Sequence, residues 1–233
     1  MGRRLFDLIL AASGLAFALP LLLIASAGIW LSDGRPIIYR ARRVGKGGGT
    51  FAMYKFRTMY VGADRKGPIT APSDDRCFPF GSLLRRLKID ELPQLFNVMK
   101  GEMSVVGPRP EDPTIVTDRY SESQRETLRA VPGLLGPGSL FDYTHGDEFL
   151  RSDASEEEYS RTLLPIVLAL DTVYLRKASL AYNLRLMGRT AWAILGKALG
   201  RTHFPDPPEM GEALVMLGTP ATPSAPDGRD PKH

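Results

Sequence analysis

A run of 25 residues without a charged side chain, from residue 8 to 32, constrains the fold of this chain more than any other feature. As an α-helix it would be about 37 Å long, whereas about 20 apolar residues suffice to cross a bilayer. Basic residues flank it on both sides: Arg3 and Arg4 before it, and Arg35, Arg40, Arg42 and Arg43 after it. Because Lys and Arg favour the cytoplasmic side of a membrane, both ends of this segment are predicted to lie on that side.

Pro20 stands in the middle of the uncharged run. Proline lacks an N–H and clashes with the preceding turn, so it favours a break into two arms of about 12 residues, each near 18 Å long. Such arms enter and leave the membrane on one face, and residues 1–34 are therefore predicted as a re-entrant membrane helix. The alternative is a spanning helix with a kink at Pro20, which membrane helices tolerate, and the residues alone leave both open.

Charge is distributed unevenly along the chain. The first 60 residues carry nine Lys or Arg against two Asp, although the whole chain has a net charge of only +4. This excess predicts a partner with phosphate groups, in a substrate, a lipid headgroup or a nucleic acid. The apolar N-terminal run argues against a nucleic-acid partner. The single cysteine, Cys77, excludes an internal disulfide and a cysteine-based zinc site.

Residues 36–59 predict two short strands joined by the flexible sequence GKGGG. Arg40, Arg42, Lys55 and Arg57 make this hairpin cationic and are candidates for phosphate contacts, membrane lipid headgroups included. GKGGG lacks the spacing and the Lys-Ser/Thr ending of a P-loop, and no GxGxxG follows a strand, which argues against a nucleotide site of either kind.

The stretch RRLKIDELPQLFNVMKGEMSVVGPRP, residues 85–110, places Asp90 and Glu91 side by side among cations. Apolar residues at spacings of three and four predict a helix that begins near Pro93. Asp90 could then cap this helix while Glu91 complements its dipole. Alternatively, one carboxylate attacks a phosphate while the other holds Mg²⁺, an ion that suits a few carboxylates plus phosphate oxygens. The residues alone do not choose between these two interpretations.

Five stretches of the sequence are typical of one family: RVGKGG, FAMYKFRTM, DELPQLFNVMKGEMSVVGPRPE, VPGLLG and LDTVYLRKASLAYNLRLMGRTAWAIL. Together they resemble the bacterial sugar transferase family, the small monotopic phosphoglycosyl transferases, over about residues 1–200. The resemblance implies transfer of a sugar phosphate from a UDP-sugar to polyprenol phosphate, with release of UMP. It implies that Asp90 forms a covalent phosphosugar intermediate, that Glu91 binds Mg²⁺ beside Asp90, and that Arg109 contacts the nucleotide phosphates. Arg85, Arg57 and Lys55 are further substrate-binding candidates.

The resemblance also implies a place in the bacterial inner membrane, with residues 35–204 as a cytoplasmic catalytic domain that starts a surface glycoconjugate. Direct attack by polyprenol phosphate on the donor, and a membrane-anchored binding protein without catalysis, remain alternatives. A homo-oligomer is left open, as is the identity of the sugar.

The C-terminal half completes an α+β fold that is mostly helical. Residues 114–130 and 156–177 are predicted as helices, and 185–201 as an amphipathic helix for the membrane interface or the core. Residues 132–149, which depart from the family's usual sequence, are treated as a loop that contains His145 and Asp147. Seven of the 19 prolines fall after residue 204, so 205–233 is predicted as a mostly disordered tail with a short helix near 209–217.

Overall fold

The computed structural model describes residues 2–63, 75–149 and 156–218. Within these ranges the helices are α1 (Gly2–Asp33), α2 (Pro79–Arg86), α3 (Gln94–Lys100), α4 (Pro113–Arg119), α5 (Pro137–Phe149), α6 (Glu156–Lys177), α7 (Leu180–Ala198) and α8 (Met210–Met216). The strands are β1 (Ile38–Val44), β2 (Thr50–Phe56), β3 (Ser104–Val106) and β4 (Gly133–Leu135). The predicted α+β class, mostly helical, is confirmed.

The predicted hairpin is also confirmed, and its register fixes which side chains face the core. β1 and β2 pair antiparallel, from Ile38 opposite Phe56 to Val44 opposite Thr50. Alternation along the strands buries Ala41, Val44, Met53 and Phe56.

The core is organised around α6. Its residues Leu163, Val167 and Leu170 have no exposed surface, because α5 packs along one side of the helix and α8 along another. A helix surrounded in this way forms a rigid centre to which the loops around it are attached.

Pro20 lies inside α1, which is helical on both sides of it, from Gly2 to Asp33. Proline removes one N–H and bends a helix without ending it, so the helical assignment on both sides of Pro20 is compatible with the predicted break there, which stays a prediction. By length and composition α1 could cross a membrane. Asp7 and Ala11 are buried near the N-terminal end of α1, and Ala25 and Ile29 are buried near its C-terminal end. Phe17, in the middle of the helix, is 88% exposed.

Both ends of α1 are attached to the same globular domain. At the N-terminal end, Arg3 donates to the Val106 carbonyl at 2.7 Å and Arg4 donates to the Val98 carbonyl at 2.6 Å. At the C-terminal end, Arg57 of the hairpin region forms an ion pair with Asp33. These contacts hold both ends of the apolar helix beside one domain.

Of three predicted stretches in the C-terminal half, the structure confirms one, divides one and replaces one. The 156–177 helix is confirmed, whereas the helix predicted at 114–130 is divided into α4 and a 3-10 segment at Gln124–Arg129, with Tyr120 extended between them. The predicted loop at 132–149 is wrong, because it contains β4 and α5. Its glycines serve close packing: a Cβ at Gly138 would lie 2.6 Å from the Val167 carbonyl oxygen.

The region after residue 204 begins as a packed segment. The short helix predicted near 209–217 is confirmed as α8, and Glu209 and Ala213 are buried. The prediction of a mostly disordered tail from residue 205 onward is therefore corrected for residues 205–218, because α8 buries an apolar face on α6. The remainder of the predicted tail, 219–233, lies outside the described residues.

Candidate active site

The two adjacent acids lie on a 3-10 turn, Ile89–Glu91, between α2 and α3. The chain enters this turn through Lys88, which adopts a left-handed conformation with φ of 57°. This conformation is uncommon for a residue with a Cβ, and such residues cluster at functional sites. The sharp reversal also brings the Lys88 ammonium to 3.2 Å from the Glu91 carboxylate.

Glu91 lies between two lysines that come from different parts of the chain. Lys55 of β2 approaches its Oε1 at 3.3 Å, and Lys88, three residues before Glu91, approaches the same oxygen at 3.2 Å. Burial alone would raise the pKa of Glu91, but the charges of Lys55 and Lys88 outweigh it and hold the pKa well below its usual range. Glu91 is therefore ionised at neutral pH.

Asp90 is in a different situation. Its side chain is buried, and Oδ1 has no hydrogen-bond partner. Burial raises the pKa of Asp90, and the neighbouring charge of Glu91 raises it further. An unpaired carboxylate oxygen in a buried position costs free energy, so it calls for an explanation.

The helix-capping interpretation does not supply that explanation. Neither the 3-10 turn nor α3 has a side-chain capping hydrogen bond at its N-cap, and the N-cap of α3 is Pro93. The prediction of a helix that begins near Pro93 is confirmed, because α3 begins at Gln94 directly after it.

Arg109 is positioned by α6. Its backbone N–H donates to Asp171 Oδ2 at 2.8 Å, and the other oxygen of Asp171 accepts from the Gly138 N–H at 3.0 Å. The Arg109 guanidinium then lies 3.6 Å from the carboxylates of both Glu111 and Asp142. Asp171 therefore connects the Gly-Pro-Arg-Pro segment and the start of α5 to the central helix.

A close approach of two glycines supports the same segment. β3 and β4 pair in parallel, and a Cβ at Gly133 would lie 2.0 Å from the Gly107 nitrogen. No side chain fits there, so glycine at 133 lets β4 press directly against the loop that carries Arg109.

A cavity of about 780 Å³ contains most of the predicted site residues: Lys55, Arg85, Asp90, Glu91 and Arg109 all line it. These residues come from β2, the end of α2, the 3-10 turn and the loop after β3. A cavity of this size is typical of a small-molecule site. Its cations surround the two adjacent acids and give it the character of an anion-binding pocket.

Arg57 is placed elsewhere, and its prediction as a substrate-binding residue is corrected. It does not line the cavity, and its side chain is only 6% exposed. It donates to the carbonyls of Pro36 at 2.6 Å, Met59 at 3.1 Å, and Asp33 and Gly34 at 2.9 Å, besides its ion pair with Asp33. Arg57 thus holds the segment that leaves α1.

Among the lining residues that the predicted site did not include, three lie near the acids in sequence or make notable contacts: Lys88, Arg43 and Tyr143. Lys88 stood next to the acids in sequence and could have been included on that ground. Arg43 of β1 pairs with Asp112 at 3.3 Å, and its buried Nε has no partner. Tyr143 carries the ammonium groups of Lys88 and Lys197 against its ring, each 4.8 Å from the ring centroid. Tyr143 was missed because α5 was not predicted, and no sequence signal distinguished Arg43 from the other basic residues of the hairpin.

His145 and Asp147 have separate environments. His145 is buried, with Nδ1 at 2.8 Å from the Thr144 hydroxyl and Nε2 at 3.1 Å from the Phe204 carbonyl. It is therefore a packed residue of α5 rather than a solvated loop residue. Asp147 lines the cavity and pairs with Lys197 at 3.4 Å.

The donor set suits Mg²⁺. The described residues contain no group of three or more acidic, His or Cys side chains arranged for a metal. Mg²⁺, however, commonly uses one or two carboxylates and completes its shell with substrate phosphates and water. Asp90 and Glu91 supply such a pair, and the unpartnered Asp90 Oδ1 is an oxygen without a protein donor.

Comparison with known proteins finds one matching family and several similar proteins. The sequence model of the bacterial sugar transferase family matches residues 1–197. The chain is 36% identical over 199 residues to the UDP-glucose:undecaprenyl-phosphate glucose-1-phosphate transferase of Caulobacter vibrioides, covering 83% of this chain and 69% of that protein.

Two longer proteins are also similar. The Xanthomonas campestris protein of the same name is 34% identical over 84% of this chain, and the match covers 39% of its own length. The UDP-N-acetylgalactosamine-undecaprenyl-phosphate N-acetylgalactosaminephosphotransferase of Aeromonas hydrophila is 33% identical over 83% of this chain and 43% of its own. These relatives share an acceptor and differ in the sugar that their names specify.

Proposed function

Because this chain belongs to the bacterial sugar transferase family, we propose that it transfers a sugar 1-phosphate from a UDP-sugar to a polyprenol phosphate. Relatives named as undecaprenyl-phosphate sugar-1-phosphate transferases support this substrate class. The observation that carries the proposal is Asp90, a buried carboxylate with one unpartnered oxygen, at a cationic cavity large enough for a nucleotide-sugar.

The diphosphate of the donor binds among the cavity's cations. Lys55, Lys88, Arg85 and Arg109 provide charge that screens the phosphates, and an arginine offers paired donors to phosphate oxygens. Asp90 and Glu91 would hold Mg²⁺ between them and the diphosphate. When bound, the ion neutralises charge on the phosphate oxygens and favours the ionised form of Asp90.

In the first step an Asp90 carboxylate oxygen attacks the phosphorus that carries the sugar. A bond forms between that oxygen and phosphorus, while the bond from this phosphorus to the oxygen bridging it to UMP breaks. UMP leaves with the electron pair of the broken bond, and its negative charge is balanced by the cations of the pocket. The enzyme then carries the sugar phosphate on Asp90.

In the second step a phosphate oxygen of polyprenol phosphate attacks the same phosphorus. The bond to Asp90 breaks, the carboxylate is restored, and the product is a polyprenyl diphosphate sugar. Two steps let UMP leave before the lipid phosphate binds, so the two polyanions never occupy one cationic pocket together.

We also propose that α1 enters the membrane and returns to the cytoplasmic face. Arg3 and Arg4 near its start and Asp33 at its end all contact the same domain, which a helix with ends on opposite sides of a bilayer could not do. The flanking arginines favour the cytoplasmic side. The exposed apolar residues between the ends, Phe17 and Leu23 among them, then face lipid.

The covalent step is tested by incubating the purified protein with UDP-sugars and Mg²⁺ in the absence of polyprenol phosphate. We expect a rapid release of at most one equivalent of UMP and a mass increase of one sugar phosphate on the peptide that contains Asp90. Added polyprenol phosphate should remove the adduct.

Asp90→Asn is the matched variant, because the amide keeps the size of the side chain and loses its nucleophilicity. It should release no UMP and form no adduct while keeping the wild-type unfolding temperature. UMP release only in the presence of lipid, with no adduct under acid quench despite good turnover, would support direct transfer and reassign Asp90 as a base or metal ligand. Binding without turnover for any UDP-sugar would support a binding protein.

A further inference from the structure

The cavity has a wall that the family match does not cover. The match ends at residue 197, yet Gly200, Arg201, Thr202 and His203 line the cavity together with Asp90 and Glu91. We call residues 200–206 the C-terminal segment. It follows α7 and precedes α8, so it closes one side of the cavity with residues that lie beyond the family match.

The C-terminal segment is fastened at several points. His145 Nε2 lies 3.1 Å from the Phe204 carbonyl, and the Phe204 ring packs edge-on against Trp192 with centroids 5.5 Å apart. The Arg201 guanidinium lies over the same Trp192 ring at 4.8 Å. Contacts of this kind hold a segment in one position, so the side chains between them point from a fixed backbone.

The C-terminal segment adjoins a second divergent part of the chain, and the two form one wall. Asp147 and Glu148, at the end of α5, line the cavity, and Asp147 pairs with Lys197 just before the C-terminal segment. They belong to 132–149, which departs from the family's usual sequence. The two divergent parts therefore meet at one wall, whereas the matched motifs around Asp90 form another.

The chemistry of this divergent wall differs from that of the phosphate pocket. Thr202, His203 and Asp147 offer a hydroxyl, an imidazole and a carboxylate, with both donors and acceptors among them. Asp147 disfavours a phosphate, and the Arg201 charge is stacked on Trp192. Hydroxyl and acetamido groups of a sugar match this set, and a site that hydrogen-bonds a substrate hydroxyl can reject an analogue lacking it by about 10⁴-fold.

We infer that Thr202 and His203, with Asp147, contact the sugar of the donor and determine which UDP-sugar is used. This inference rests on the proposed function, in which Asp90 and its cations hold the diphosphate. The sugar then extends from the phosphate next to Asp90 to the divergent wall. Relatives whose names specify glucose and N-acetylgalactosamine require that some part of the site differ.

The test uses the full-length protein and two variants, Thr202→Val and His203→Ala. Both side chains are exposed in the cavity wall, so neither change opens the core. UMP release is measured with polyprenol phosphate and UDP-glucose, UDP-galactose, UDP-N-acetylglucosamine or UDP-N-acetylgalactosamine. We expect kcat/KM for the preferred donor to fall by about 10- to 100-fold and for the poorest to change by less than about threefold. Thr117→Val, on the exposed side of α4 outside the cavity, should leave all four values unchanged.

Cys77 provides a second readout that does not need turnover. It is the chain's single cysteine and it lines the cavity, so bound ligand should slow its reaction with a maleimide. We expect UMP to protect Cys77 equally in the wild type and both variants. Because each variant loses a contact to the sugar, protecting its Cys77 should need about a tenfold higher concentration of the preferred UDP-sugar than in the wild type.

The outcomes separate the two proposals. Unchanged donor ratios and unchanged protection in both variants overturn the inference. Equal weakening of UMP and of every UDP-sugar also overturns it, since the wall would then contact the nucleotide. If the wild type turns over none of the donors, the proposed function fails. Even in that case, the sugar contact is upheld if the wild-type protection of Cys77 differs between UDP-sugars and this difference disappears in the variants.

Discussion

Replacing Arg57 by lysine distinguishes a structural role from a substrate-binding one. The guanidinium makes five hydrogen bonds, four of them to carbonyls around the end of α1 and one to the Asp33 carboxylate. Lysine keeps the charge but has only three donors, so at least two of these acceptors lose their partner. These acceptors are only partly buried, so water can replace a lost donor and each lost hydrogen bond costs about 0.5–1.5 kcal/mol. Arg57→Lys should therefore lower the free energy of unfolding by about 1–3 kcal/mol.

The assay combines urea unfolding in detergent with UMP-release kinetics at a temperature where the variant stays folded. We expect the unfolding midpoint to fall while KM for the UDP-sugar changes by less than about twofold, because Arg57 lies outside the cavity. Arg40→Lys is the matched control: Arg40 lies on the same hairpin, is exposed, and should change neither quantity. Wild-type stability together with a KM raised tenfold or more would refute the structural role and return Arg57 to the donor site.

Three further predictions follow from the site, the membrane helix and the core. Glu91→Gln should lower turnover by about 10²- to 10³-fold and weaken its dependence on Mg²⁺, because charge stabilisation is a large term in phosphoryl transfer; an unchanged Mg²⁺ titration would remove Glu91 from the site. Cysteines placed at Gly2 and Arg35, in a Cys77→Ser background, should both react only with a reagent on the cytoplasmic side, and reaction of either from outside would indicate a spanning helix. Burial raises the pKa of Asp171 to about 7, so the folded state binds a proton that the unfolded chain releases from about pH 4 upward. The free energy of unfolding should accordingly fall by about 2–3 kcal/mol between pH 5 and 8, and Asp171→Asn should flatten that part of the profile in urea titrations; an equal slope in both proteins would contradict this.

The elements that the sequence predicted well are those whose apolar period is long or whose turn is marked. The 156–177 helix and the 36–59 hairpin belong to this group, since one has a sustained apolar pattern and the other a glycine-rich turn between β-rich runs. Residues 132–149 were missed because their glycines and prolines resemble those of a loop. Pro137 instead starts α5, where a missing N–H costs nothing, and Gly138 lets the helix contact α6.

Site residues divide in the same way. Asp90, Glu91 and Arg109 belong to contiguous motifs, so pattern and resemblance identified them. Arg57 was misplaced because a basic residue that satisfies carbonyls looks, in sequence, like one that binds phosphate; only its burial separates the two roles. Arg43 was missed because its place in the cavity depends on contacts between β1 and α4, which lie about 70 residues apart.

Asp171 shows why the geometry of the pocket depends on the core rather than on the loops that carry the chemistry. Its neighbours Leu170 and Val173 are fully packed, so the position of its carboxylate is set by the interior of the protein. One oxygen holds the Arg109 backbone and the other holds the first turn of α5. The carboxylate of Asp171 therefore positions both the Gly-Pro-Arg-Pro segment, common to the family's pattern, and the divergent helix that carries Tyr143 and Asp147. Substitutions at the divergent wall can then change the sugar contacts while Arg109 keeps its position relative to Asp90.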